Sequence, residues 1–162
     1  MKNKETFIKT IQENTGIIYK AASLYTSNQQ DKEDLVQEII YQLWRSFDSF
    51  QQKSSRSTWI YRIAMNVSIY HFKQSKKKTF IIPVDQEVLE NKYSDTSENN
   101  GKWERIQQQI KKLNLLDRGI ILLYLENKSH KEIAEIIGIS ESNVGTKLSR
   151  IKTKLKNKIL NQ

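Results

Sequence analysis

Apolar residues recur with a period near 3.6 along almost the whole chain, and only one proline, Pro83, and five glycines interrupt them. A sequence patterned this way offers little of the alternation or turn chemistry that sheets need, so it predicts an all-α fold. The 162 residues suffice for one ordinary domain or two small ones. The longest apolar run, IILLYL at 120–125, falls far short of the roughly 18–20 residues of a membrane span. The N-terminal stretch MKNKETFIKTIQENTG has charges with no apolar segment behind them, which predicts no secretory signal and a cytoplasmic protein. Cysteine is absent, and His71 and His130 lie outside any zinc-ligand spacing, so neither a disulfide nor a metal centre is expected.

Charge divides the chain. With 27 Lys plus Arg against 18 Asp plus Glu, the net charge of +9 suits a polyanionic partner. It is spread as +6 over residues 1–82, −4 over 83–101 and +7 over 102–162. The middle stretch follows Pro83 and is polar, acidic and poor in aromatics, as a flexible linker is. The expectation is two basic helical domains, 1–82 and 102–162, joined by an acidic tether at 83–101. A single bundle with a long surface loop is the alternative.

In the first domain, DKEDLVQEIIYQLWRSFDSF places Leu35, Val36, Ile39, Ile40, Leu43, Trp44 and Phe47 on one stripe, and that stripe predicts core. The opposite face offers Asp34, Gln37, Glu38, Gln42 and Arg45, an acidic and amide surface suited to a basic protein partner or simply to water. From Ser49 to Val84 no acidic residue occurs. Within that stretch, SSRSTWIYRIAMNVSIYHFKQSKKK predicts a helix capped by Ser57 or Thr58. Trp59, Ile60, Ile63, Ala64 and Val67 would be buried, with Tyr61, Arg62, Asn66, Ile69, Tyr70 and Lys73 on the other side. Aromatics among cations, free of carboxylates, suit single-stranded nucleic acid, because bases stack on rings while cations follow phosphates. Aromatics are also the usual filling of a core, and Trp59 most invites that reading.

In the second domain, SHKEIAEIIGISESNVGTKLSRIKTKL has a short helix ending at Gly138, then Ile139, the cap candidates Ser140 and Ser142, and a second helix. Ala134 permits a close crossing, and Ile133, Ile137, Ile139, Val144 and Leu148 are expected to line the seam. This is a helix-turn-helix pattern. With Val144, Leu148, Ile151 and Leu155 inward, the second helix presents Asn143, Thr146, Lys147, Ser149 and Arg150 outward, with further lysines beyond. Small polar groups near its N-terminal end can approach base edges in a major groove, and the lysines can meet phosphates. A basic amphipathic helix lying on a membrane is the competing reading.

These residues resemble a known family. EDLVQEIIYQLWRSFDSF followed by STWIYRIAMNVSIYHFKQSKK is similar to the first conserved domain of extracytoplasmic-function (ECF) RNA polymerase sigma factors. LNLLDRGIILLYLENKSHKEIAEIIGISESNVGTKLSRIKTKLK is similar to their C-terminal helix-turn-helix domain. The resemblance implies a sigma region 2 domain at 1–82 and a sigma region 4 domain at 102–162, in a protein that binds core RNA polymerase and directs promoter-specific initiation. It implies that Asp34, Gln37, Glu38 and Tyr41 dock on the polymerase. Trp59, Tyr61, Arg62, Asn66, Tyr70 and Lys73 would meet the proximal promoter element as it opens, with Asn66 and Tyr70 the foremost readers. Asn143, Thr146, Lys147, Ser149 and Arg150 would meet the distal element. An anti-sigma factor is a further partner open to such a protein, while no cofactor, small-molecule substrate or membrane insertion is implied. Tyr70, His71 and Gly145 depart from residues common in relatives, so base preference does not transfer. A helix-turn-helix regulator binding duplex DNA as a dimer without polymerase is the rival function. An enzyme is not expected, since no P-loop, nucleophile motif, metal triad or catalytic carboxylate pair occurs.

Overall fold

A computed structural model describes the backbone of residues 4–50, 55–79 and 98–160. Among these residues there are eight α-helices and no strand: α1 (Lys4–Glu13), α2 (Thr15–Leu24), α3 (Gln29–Ser46), α4 (Arg56–Thr79), α5 (Glu98–Lys111), α6 (Leu115–Leu125), α7 (His130–Ile137) and α8 (Glu141–Leu160). A single 3-10 turn, Phe47–Ser49, follows α3. The all-α expectation holds. Most of the acidic tether lies outside the described residues, and α5 begins inside the stretch assigned to it.

Short polar side chains set the starts of five helices. Asn28 accepts from the Asp31 backbone N–H at 2.8 Å, Ser55 from Thr58 at 3.1 Å and Asn114 from Asp117 at 2.9 Å. Ser129 accepts from Glu132 and Ser140 from Asn143, each at 3.1 Å. Each such bond satisfies one donor that the first turn leaves without a helical partner. The cap of α4 is therefore Ser55, upstream of the two candidates Ser57 and Thr58. Thr58 is instead buried, where its hydroxyl accepts from that of Ser55 at 2.9 Å.

Two helix ends turn through left-handed residues. Gly138, at φ 85°, closes α7, and its N–H donates to Ala134 at 2.8 Å. Asn127, at φ 63°, closes α6, with the Lys128 N–H reaching back to the Leu123 carbonyl at 3.1 Å. Asn tolerates this conformation almost as glycine does, which is why a non-glycine stop is found there.

In the N-terminal module α2, α3 and α4 pack together with α1 laid along α2, and Ile18, Leu35, Ile39, Leu43, Ile60 and Met65 fill the interior. Phe7, Trp44, Phe47, Phe50 and Trp59 close one end as an aromatic cluster, with neighbouring rings 4.9–6.2 Å apart. In the C-terminal module α5 and α6 support the α7–α8 pair around Ile110, Ile120, Leu123, Ile133, Val144 and Leu148. Ile136, absent from the expected seam, is buried, whereas Ile137 and Ile139 are only partly so. A helix this short turns Ile133 and Ile136 to the same side, three residues apart.

The two modules are not apart. α7 lies on α4, and α5 and α6 lie on α2, so the buried apolar residues form one continuous cluster. Gly119 marks a close approach: a Cβ there would stand 3.1 Å from the Met65 sulfur and 3.3 Å from the Tyr25 hydroxyl.

Candidate nucleic-acid and protein interfaces

The apolar stripe of α3 is buried through Leu35, Val36, Ile39 and Leu43, which turns Asp34, Gln37, Glu38 and Tyr41 outward together. All four are exposed, and Tyr41 keeps 53% of its surface. Gln30 donates to Asp34 at 3.2 Å, Gln42 donates to Glu38 at 3.0 Å, and the Arg45 guanidinium lies over the Tyr41 ring at 5.9 Å. These i,i+4 contacts hold the carboxylates in place without neutralising them. The patch is thus a negative surface on an otherwise basic protein.

A groove of about 580 Å³ separates this face from α4. Asp34, Glu38 and Gln42 form one wall, and Asn66, Tyr70, His71 and Gln74 form the other. Asn66, Tyr70 and Lys73 are exposed, Tyr70 at 66%. Asp34 and Glu38, expected to meet protein, and Asn66 and Tyr70, expected to meet the opening DNA strand, therefore border one groove.

The other α4 candidates sit differently. Trp59 is half-buried, 5.0 Å from Phe50 and 6.2 Å from Phe47, and belongs to the aromatic cluster. Tyr61 was expected outward, but only 6% of it is exposed. The Lys128 ammonium covers its ring at 4.7 Å, and burial pushes its phenol up to about 12, with Glu126 and Glu132 adding to the effect. Arg62 is exposed, yet its guanidinium donates to the Glu135 carbonyl on α7 at 2.9 Å. The C-terminal module covers this part of α4, a placement that periodicity within α4 does not encode.

On α8, Val144, Leu148, Ile151 and Leu155 are buried, so the opposite face is open. Asn143, Thr146, Ser149 and Arg150 are exposed and Lys147 is half-buried. Asn143 lies in the first turn, where Ser140 caps its N–H and leaves its amide side chain outward. The Thr146 hydroxyl donates back to the Ser142 carbonyl at 3.2 Å. After Glu141 the helix has no acidic residue, while Lys147, Arg150, Lys152, Lys154, Lys156 and Lys158 follow. One of these has a local role, since the Lys152 ammonium lies over Tyr124 at 3.9 Å.

Sequence reasoning passed over Arg118. It donates to the carbonyls of Leu113 and Leu24, each at 3.0 Å, and to that of Lys111, and its guanidinium lies 4.9 Å from the Phe72 ring centre and 5.8 Å from that of Tyr25. Burial lowers its pKa from the ordinary arginine value, with Tyr25 opposing the shift. The available signal was one cation in the helix LLDRGIILLYL, apolar but for Asp117 beside it in the first turn.

Among the described residues, no group of acidic, histidine or cysteine side chains could hold a metal, and no helix is long and apolar enough to cross a membrane.

Residues 10–78 match the family model for Sigma-70 region 2, and residues 103–155 match that for Sigma-70, region 4. The chain is 29% identical over 155 residues to the RNA polymerase sigma factor SigV of Bacillus subtilis (strain 168), covering 93% of this chain and 91% of that one. It is 29% identical over 162 residues to the ECF RNA polymerase sigma-E factor of Haemophilus influenzae, covering 86% of this chain and 82% of the relative. Its fold resembles that of CnrH in complex with the cytosolic domain of CnrY, with a TM-score of 0.74 at 18% identity over 99% of this chain and 91% of that one, and that of the sigma factor RpoE in complex with the anti-sigma factor NepR from Bartonella quintana, with a TM-score of 0.73 at 17% identity over 94% of this chain and 96% of that one. Two region models in order, set on an all-helical fold with an open helix-turn-helix, place this chain in the ECF family of RNA polymerase sigma factors.

Proposed function

We propose that the chain acts in the cytoplasm as an initiation factor, docking core RNA polymerase through Asp34, Gln37, Glu38 and Tyr41 and reading a promoter at two places. Asn66, Tyr70 and Lys73 meet the proximal element as it opens. Asn143, Thr146, Lys147, Ser149 and Arg150 meet the distal element, with the helix α8 lying in a major groove. Trp59 supports the first of these surfaces from within the aromatic cluster, and Tyr61 and Arg62 join it when the C-terminal module moves off α4. Two promoter contacts on separate modules, 1–82 and 102–162, with a tether at 83–101, suit a factor that spans a start site. An anti-sigma factor is a natural further partner, and the RpoE structure of similar fold is a complex with one.

The observation that supports this reading best is the α3–α4 groove, with a carboxylate patch on one wall and an exposed tyrosine and asparagine on the other. A dimeric regulator has no evident use for that pairing. Reconstitution tests it: purified chain and core polymerase, transcribing a pool of random upstream DNA. Enrichment of a two-part motif is expected, with loss of polymerase binding in D34K/E38K and loss of opening in Tyr70→Ala. Binding of a palindrome by a dimer in the absence of polymerase would favour the regulator instead.

A further inference from the structure

Arg118 is only 9% exposed, and no carboxylate among the described residues pairs with it. Its three hydrogen bonds go to the neutral carbonyls of Leu113, Leu24 and Lys111, leaving two of its five N–H donors and all of its charge unmatched. Buried charges are ordinarily paired, so this one calls for a counter-ion. Arg118 lines a cavity of about 580 Å³, inside the range of roughly 300–1,000 Å³ of small-molecule sites. Lys73 and Lys76 reach the same cavity from one face of α4, three residues apart and both exposed. The Phe72 ring carries the Lys76 ammonium at 4.8 Å and the Arg118 guanidinium at 4.9 Å, which holds these two cations in place. Among the described residues no carboxylate lines the cavity, and Asp117, beside Arg118 in the chain, accepts instead from the Asn114 amide at 3.1 Å. A concavity walled by one sign of charge focuses its field on an anion. Leu113 and Leu115 add apolar surface to it, and Tyr70 adds an exposed ring.

We propose that this cavity is a binding site for a nucleoside di- or triphosphate, with Arg118, Lys73 and Lys76 taking the phosphate oxygens and the base lying against Tyr70 and the two leucines. Three cations match the roughly three or four negative charges of such a ligand at neutral pH. Inorganic phosphate would leave the apolar lining without a contact, and a nucleoside would leave the three cations without one. A promoter strand carries the same phosphates, but its backbone runs along an open surface, and the Arg118 guanidinium is reached only from inside the cavity. Tyr70 and Lys73 also stand on the surface assigned to the opening strand, so an occupied cavity should compete with that strand. This consequence alone rests on the initiation reading; the site itself is measured without polymerase or promoter.

Titration calorimetry on the free full-length chain tests the site, together with the nitrogen NMR shift of the Arg118 Nε–H. The probes are ATP, GTP, inorganic triphosphate and adenosine, all free of divalent metal. ATP or GTP is expected to bind about tenfold more tightly than either fragment and to move the Arg118 resonance. Lys76→Ala, at an exposed position, should weaken nucleotide binding about tenfold, the effect of losing one hydrogen bond to a charged group. Lys9→Ala removes one exposed cation on α1 and should leave it unchanged. No nucleotide binding at about 1 mM would overturn the site, as would inorganic triphosphate binding as tightly as ATP, or K9A weakening binding as much as K76A. Movement of the Arg118 resonance by a single-stranded oligonucleotide but not by nucleotide would also overturn it, making the cavity part of the promoter surface. Nucleotide binding by a chain that ignores polymerase would uphold the site and remove the initiation role.

Discussion

Gly138 offers the sharpest test of how the helix-turn-helix is built. At φ 85° it occupies the left-handed region, yet a Cβ placed on it would meet nothing within 4 Å. Substitution by alanine therefore isolates backbone strain from packing. An L-residue with a Cβ pays about 1–2 kcal/mol to sit in that region, and the reduced freedom of the unfolded chain returns only part of this. For a protein of this length the full strain corresponds to roughly 2–8 °C in melting temperature, at about 2–4 °C per kcal/mol, and the net loss falls below that. Asparagine, which tolerates the left-handed region, should recover most of the loss. Urea and thermal unfolding of wild type, G138A and G138N measure this directly, with distal-element binding as a second readout of the α7–α8 angle. Equal stability in all three, or G138N as damaging as G138A, would refute the assignment of the turn to backbone strain. A useful contrast is Gly119, where φ is helical and the Met65 sulfur would stand 3.1 Å from a new Cβ: any loss in G119A comes from crowding at the seam.

Three further outcomes are expected. If three or four cations of α8 meet phosphates, distal-element affinity should fall with a log–log salt slope of about −3, and Arg150→Ala or Lys154→Ala should each flatten it by about 0.9; an unchanged slope would remove that residue from the interface. Tyr70→Ala should weaken binding to the opened strand by roughly 1–3 kcal/mol while Tyr70→Phe keeps it, as measured by fluorescence anisotropy with a single-stranded promoter fragment, because the ring supplies stacking. Tyr61 should titrate late: its folded-state phenol is raised to about 12 against an ordinary value of 10, so its contribution to stability is fully present below about pH 10 and is lost as pH rises toward 12. Tyrosinate absorbance should show Tyr61 and Tyr25 as late-ionising phenols among the seven tyrosines, and an early-ionising Tyr61 would contradict its burial.

Residues whose burial follows from their own helix were readable in advance. Leu35, Val36, Ile39 and Leu43 on α3 and Val144, Leu148, Ile151 and Leu155 on α8 are buried as their periodicity requires, and the polar faces opposite them follow from the same geometry. The stop at Gly138 was legible because few residues adopt positive φ without strain. Caps were harder. Four Ser or Thr residues crowd the start of α4, and composition could not choose Ser55 among them.

The misplaced expectations share one cause. Tyr61 faces away from much of its own module's core, so helical periodicity placed it outside; Lys128 and α7, more than sixty positions away in the chain, then cover it. Ile136 replaced Ile137 in the deepest part of the seam because a helix of two turns can rotate to suit the neighbours it meets. Nothing within its own helix singles out Arg118, and only the approach of Leu24, Tyr25 and Phe72 gives it a role.

By itself the sequence determined the helices, their inner and outer faces, the two basic modules in order and the family they resemble, because each depends on side chains within one or two turns of one another. Which of those outer faces stay open was decided only by the tertiary structure. Whether α4 shows Tyr61 to solvent depends on α7 lying across it, and contacts between residues distant in the chain are not written in the periodicity of either partner.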